Sequence, residues 1–283
     1  MDLGLKGKVA IVTGAGQGVG EGIAATLAKE GVKVVVNDFF QERADKVAKD
    51  IVAAGGTAVA IQADVTDFDS VTKMAKAALD KFGRIDILVN NAGVPAPPPE
   101  GDAPGSIDSS FDKVDRAMWK KFVDVNIYGV MNCTRAVLDG MIAQKYGKII
   151  NIISDAGRIG EPRQAVYSGA KAGVAGFSKA LAKENGKNCI NVNCLSLGAV
   201  PHAGIDNRRI GMMVKLGMTE QQAKEAIQKV REGAMKVYPM AKGLGRFGTP
   251  ADVGNAVAFF ASDASVFITG QILSISGGYT TVG

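Results

Sequence analysis

Tyr167 and Lys171 stand four residues apart, separated by Ser168, Gly169 and Ala170. On a helix this spacing puts both side chains on one face. An ammonium held near a phenol favours the phenolate by charge attraction and draws its pKa down from about 10 toward neutrality. A phenol tuned in this way can give and take a proton at working pH, as a general acid/base must. Such a pair is also common surface decoration, so its surroundings have to decide. His202 is the sole histidine and excludes any mechanism or metal site that needs two imidazoles. Cys133, Cys189 and Cys194 are sparse and lack metal-ligand spacing, so they read as reduced packing thiols and no metal is expected.

A second cluster lies near the amino terminus. An apolar run leads into Thr13-Gly14-Ala15-Gly16-Gln17-Gly18-Val19-Gly20. Glycine suits a sharp turn that lets a pyrophosphate approach the backbone and packs a helix tightly on a sheet, with the helix N-terminus facing the anion. The spacing is G-x-x-x-G-x-G, with Val19 and Glu21 where G-x-G-x-x-G would need its third glycine. Asp38 follows Val34-Val35-Val36-Asn37, at the end of the next strand, where an acid can accept hydrogen bonds from both ribose hydroxyls of an adenosine. It would repel a 2'-phosphate, and Gln17, Phe39 and Phe40 offer no positive charge to hold one. NAD is therefore expected over NADP, with Arg43 the one residue that opposes this reading. Asp64, ahead of Val65, is a candidate for the adenine amine or, alternatively, a turn cap near Thr66.

These residues need a frame. Short β-branched runs alternate with helix-period segments, the pattern of a parallel sheet covered by helices on both faces. Strands are expected at Val9 to Val12, Lys33 to Asn37, Thr57 to Gln62, Ile85 to Asn90, Lys148 to Ile153, Ile190 to Leu195 and Gln271 to Ile275. Helices are expected from Gly18 to Glu30 and from near Gln41, Asp67, Asp115, Gln164 and Pro250. The prediction is one α/β, Rossmann-type, doubly wound domain of about seven strands spanning residues 1–283. Pro95 to Ser110 reads as a surface loop, and residues 199–245 as a long insertion with a helix from Thr219 to Val237. The chain has 283 residues, 47% hydrophobic and 22% charged, which fits a folded globular protein. It contains no apolar run of roughly 20 residues, and Met1-Asp2-Leu3-Gly4 is not the start of a leader, so a cytoplasmic protein off the membrane is expected. The net charge of +5 is interspersed and gives no nucleic-acid signal.

Taken together, the chain resembles the short-chain dehydrogenase/reductase family over nearly its whole length. The resemblance rests on Thr13-Gly14-x-x-x-Gly18-x-Gly20, Asn90-Asn91-Ala92-Gly93, Asn126, Ser154 and Tyr167-x-x-x-Lys171. It implies hydride transfer between NAD(H) and a secondary alcohol or ketone. Tyr167 would exchange the proton, Ser154 hydrogen-bond the reacting oxygen, Lys171 bind the nicotinamide ribose and tune Tyr167, and Asn126 hold a water that continues the proton path. Gly14, Gln17, Gly18, Val19, Gly20, Asp38, Asp64, Val65, Asn91, Ala92, Gly93, Tyr167, Lys171, Gly198 and Val200 would contact the cofactor. Asp155 adds a carboxylate whose charge would oppose phenolate formation. In Ser196-Leu197-Gly198 leucine stands where the family usually has proline, and His202 replaces a downstream threonine, which places His202 at the mouth of the site or on an exposed loop. The family resemblance also implies a homotetramer. The competing readings are an NAD-binding sensor or inactive partner subunit, and an epimerase or dehydratase, which would need a larger C-terminal substrate domain.

The insertion at residues 199–245 is where the family places a substrate lid. Between Ala203 and Lys242 it carries eight basic and four acidic residues, an excess of four out of the chain's five. That points to an anionic substrate such as a 3-hydroxyacyl-CoA, or else to a solvated amphipathic helix. Met212, Met213, Leu216, Met218 and Met235 would give the lid an adaptable apolar underside that could equally cover a cyclic hydroxy substrate.

Overall fold

The computed structural model describes residues 2–94 and 110–281. The expected surface loop from Pro95 lies outside the described residues except for Ser110. Seven parallel strands form one sheet: β1 (Val9–Val12), β2 (Lys33–Asp38), β3 (Thr57–Gln62), β4 (Ile87–Asn90), β5 (Gly147–Ser154), β6 (Ile190–Leu197) and β7 (Ile272–Ile275). Their order is β3-β2-β1-β4-β5-β6-β7. Successive side chains point to opposite faces, and both faces are covered. Ala10 and Val12 of β1 therefore join one core layer while Ile11 joins the other, which is why β1 is continuously apolar.

One layer is built by α1 (Gly18–Lys29), α2 (Gln41–Ala53) and, near the end of the chain, Pro250–Ala261; the other by α3 (Phe68–Phe82) and the helices that follow it. These are α4 (Arg116–Val123) and α5 (Gly129–Ala143), joined by a single π turn at Asp124–Tyr128. A short α6 (Ala156–Ile159) precedes the long α7 (Ala165–Asn185). Between β6 and the last helix come α8 (Ala203–Lys215), α9 (Glu220–Met235) and α10 (Pro239–Leu244), and α11 is Pro250–Ala261. The Thr249-Pro250 start is a full capping box, with the Thr249 hydroxyl accepting from Asp252 N–H and the Asp252 carboxylate accepting from Thr249 N–H.

The chain builds β1, β2 and β3 outward in one direction and then crosses to β4 on the other side of β1. At that reversal the loops leaving β1 and β4 diverge and open a crevice at the strand ends, the usual ligand position in such sheets. Two expectations need correction. The insertion holds α8 as well as the expected helix, and α8 buries no residue, so its apolar pattern was too weak to announce it. The fourth strand begins at Ile87, two residues later than expected; just before it the Asp86 carboxylate accepts from Val9 N–H at 2.9 Å and pairs with Arg84.

Candidate active site

The two loops at the crevice are tied by one hydroxyl. Thr13 Oγ1 accepts from the N–H groups of Asn91 and Ala92 at 3.1 and 3.0 Å. In return the Asn91 side chain donates to the carbonyls of Thr13 and Gly14 at 2.9 and 3.1 Å. Gly14 has φ +60°, and a Cβ there would lie 2.8 Å from Ala92 Cα, so only glycine fits the turn. Gly20 packs under it against the Gly14 carbonyl and Asn91. Val19 packs on the core and Gln17 is the residue before α1.

Toward β2 and β3 lies an open cavity of about 600 Å³ whose wall includes Gln17, Asp38, Asp64, Val65, Ala92 and Gly93. Asp38 is buried, with one carboxylate oxygen accepting from Gly16 N–H and the other from Phe40 N–H, both at 3.1 Å. Arg43 also lines the cavity, its guanidinium 4.3 Å from the Phe40 ring centroid. Asp64 caps a turn, its Oδ1 accepting from the N–H and hydroxyl of Thr66. The alternative reading of that residue thus describes one of its oxygens. Gly198 and Val200 are held by packing, Gly198 against Ser276 and Tyr238 and Val200 in the apolar core.

At the other end of the crevice, Ser154 ends β5 and Tyr167 and Lys171 share a face of α7. Lys171 Nζ donates to the Ile152 carbonyl at 2.9 Å and stands 5.9 Å from the Tyr167 ring centroid. Asn126, at the centre of the π turn, donates to the carbonyls of Phe122 and Val94, while its buried Oδ1 has no hydrogen-bond partner. A Cβ on Gly93 would lie 2.8 Å from that Oδ1 and 3.5 Å from Lys171 Nζ, so the three meet at one point. A wide turn is the device that aims Asn126 inward from an otherwise regular helix.

Burial dominates the electrostatics. It lowers the Lys171 pKa to about 8 and raises that of Tyr167, which the Ser154 hydroxyl opposes. The expected depression of Tyr167 by Lys171 is not seen in this structure, because the ammonium is turned onto the Ile152 carbonyl and burial penalises the phenolate. Asp155 does not confront Tyr167 either. It is buried and accepts from the hydroxyls of Ser196, Ser274 and Thr280, with Arg158 3.5 Å away. This network joins β5, β6, β7 and the tail, and only the acid of Asp155 hinted at it in sequence. His202, expected at the mouth of the site or on an exposed loop, packs against Gly18 at the start of α1.

Phe111, Val114, Phe122 and Val166 line a small cleft beside Tyr167, with the Phe122 ring edge-on to it at 6.0 Å. Among the described residues no cluster of His, Cys, Asp or Glu could hold a metal ion, and no helix is long and apolar enough to cross a membrane.

Comparison with known proteins places this constellation. The chain belongs to the short-chain dehydrogenase/reductase family: the short chain dehydrogenase model matches residues 8–209, and a model described as enoyl-(acyl carrier protein) reductase matches residues 209–280. It is 39% identical to a 3-oxoacyl-[acyl-carrier-protein] reductase of Synechocystis sp. over 97% of both chains. It is 34% identical to one of Thermotoga maritima over 97% of this chain and 98% of the relative. A 7α-hydroxysteroid dehydrogenase solved with NADH and 7-oxo glycochenodeoxycholic acid superposes with a TM-score of 0.81 at 30% identity, covering 98% of this chain and 96% of that one. The protein is thus an oxidoreductase that transfers hydride between a nicotinamide cofactor and a hydroxy or keto carbon.

Proposed function

We propose that the protein is an NAD(H)-dependent ketoreductase/alcohol dehydrogenase with Tyr167, Ser154, Lys171 and Asn126 as its proton machinery. The observation that carries the reading is their convergence at the strand ends, beside Gly93 and next to a crevice that fits a dinucleotide. The fit lies in the tight glycine turn ahead of α1, the buried Asp38 on the cavity wall, and the orphaned Asn126 Oδ1. The nicotinamide ring, when bound, supplies or receives the hydride, and the protein contributes position and electrostatics.

Ser154 would donate a hydrogen bond to the substrate oxygen, and Tyr167 would deliver its phenolic proton to that oxygen in reduction or remove it in oxidation. Lys171, released from the Ile152 carbonyl, would hold ribose hydroxyls and favour the phenolate; Asn126 Oδ1 would accept from a water that renews the proton. Asp38 supports NAD: its buried carboxylate would meet a 2'-phosphate with like charge, and Arg43 lies over Phe40.

The insertion at 199–245, following β6 within a single 1–283 unit, would form the substrate lid. Two of its basic residues are neutralised locally, Lys224 by Glu220 and Arg231 by Asp206. Arg208, Lys215, Lys229, Lys236 and Lys242 remain exposed. This favours an acyl thioester with an anionic carrier, in keeping with the reductases the chain resembles. The test is nicotinamide absorbance with both cofactors against 3-oxoacyl-CoA esters, neutral ketones and alcohols. Turnover is expected with NAD(H) and the esters. Indifference of every substrate despite tight cofactor binding would favour a sensor, and equal KM effects of Arg208→Gln/Arg209→Gln on esters and neutral ketones would remove the anionic-substrate reading.

A further inference from the structure

The first residues of α8 sit on the first residues of α1. A Cβ on Gly18 would lie 2.3 Å from His202 Cε1, 2.5 Å from Nδ1 and 2.7 Å from Nε2, so the imidazole rests directly on the Gly18 Cα. One step further, a Cβ on Gly204 would lie 2.7 Å from Gln17 Oε1. Gln17 and His202 are the residues that precede α1 and α8, so two helices meet start to start. A helix start carries backbone N–H groups without helical partners and a partial positive charge, which a nearby anion relieves. One carboxylate supplies part of that charge already, since Glu21 accepts from Gly18 N–H at 3.2 Å. The buried Nδ1 of His202 has no hydrogen-bond partner. A buried polar atom left in this way costs roughly 1–3 kcal/mol.

We propose that His202 is a ligand for the cofactor diphosphate, carried to the glycine-rich turn by α8, and that it takes up a proton as the diphosphate arrives. The inference rests on the dinucleotide reading above and extends it to a residue outside the glycine motif. Before binding, burial holds the imidazole below its ordinary pKa of 6.5, so it is neutral at pH 7. The charged groups facing it are Glu21 from α1 and Asp206 and Arg209 from α8. Asp206 is engaged by Arg231 at 2.6 and 2.7 Å. Among the described residues Arg209 makes no ion pair within 4.0 Å, so α8 adds net positive charge at the same place. A diphosphate dianion would favour the imidazolium, which would then donate to a phosphate oxygen from each nitrogen it can bring to bear.

The complex binds up to one proton more than the free protein, so affinity is highest at low pH and falls as pH rises through the window between the two His202 pKa values. The test is calorimetric titration with ADP-ribose, which carries the diphosphate without the nicotinamide, in buffers of different ionisation enthalpy from pH 6 to 8. Native protein should take up a fraction of a proton and bind more weakly as pH rises. His202→Ala should bind about tenfold or more weakly, with no proton uptake, since a charge-assisted hydrogen bond contributes roughly that factor. His202→Gln, which keeps a donor and the shape but does not titrate, should lose the uptake and flatten the pH dependence while losing less affinity. Unchanged or tighter binding by His202→Ala, or undiminished proton uptake by His202→Gln, would overturn the proposal. Failure of native protein to bind ADP-ribose at all would instead strike the dinucleotide reading.

Discussion

The crevice side of the molecule and the insertion side are built differently. α1 buries six of its twelve residues, and the turn before it is locked by the Thr13 hydroxyl and the Asn91 amide. α8 buries none of its thirteen residues and α9 only Ala223 and Ile227, and the two are joined by the partly exposed Arg231–Asp206 pair. The first region is pre-organised because a dinucleotide is the same molecule in every turnover. The second has few buried contacts to hold it, as expected of an element that moves over a substrate.

Tyr167→Phe is expected to cut kcat by about 10²–10⁴ while leaving NADH binding nearly intact, as fluorescence titration would show. Retained turnover would move the proton chemistry elsewhere. Asp38→Asn should lower the preference for NADH over NADPH by about tenfold or more, read as the ratio of kcat/KM values, because the charge is lost while an acceptor remains. Thr13→Val should cost about 1–3 kcal/mol in denaturant unfolding, since two backbone N–H groups lose their acceptor. Lys171 has a folded pKa of about 8, below its ordinary 10.5, so the unfolded chain binds more protons between these values. Its contribution to stability therefore rises with pH across that window, and Lys171→Met should flatten the corresponding part of the stability profile. The smallest effect is expected from Arg231→Gln, under about 1 kcal/mol, because the pair is solvent-screened. A cost as large as that of Thr13→Val would show the insertion to be as rigid as the crevice.

What the sequence made legible follows the same division. Strands buried on both faces leave unbroken apolar runs, and the Tyr167-x-x-x-Lys171 and glycine spacings are local, so the sheet and the residues at its strand ends could be read directly. Features made by distant pairs could not. Thr13 was visible only as a motif letter, since its partners are 78 and 79 residues away. Asp155 was visible as a charge, but its donors Ser196, Ser274 and Thr280 come from other strands and the tail. Helix α8 carries Gly204 and Gly211 and no buried stripe, so periodicity had nothing to detect. For His202 the sequence left two positions open, the mouth of the site and an exposed loop, because the path of the chain after Gly198 depends on how α8 docks on α1.

The π turn at Asp124–Tyr128 sets how this chain tolerates change in length. A regular helix advances about 100° per residue. Excising Val125 or Ile127 would restore an ordinary spiral, yet rotate Asn126 out of register with Gly93 and Lys171 or swing the whole of α4 around its axis. A one-codon deletion there, chemically mild and free of any lost charge, should silence the protein as thoroughly as the removal of a reacting group.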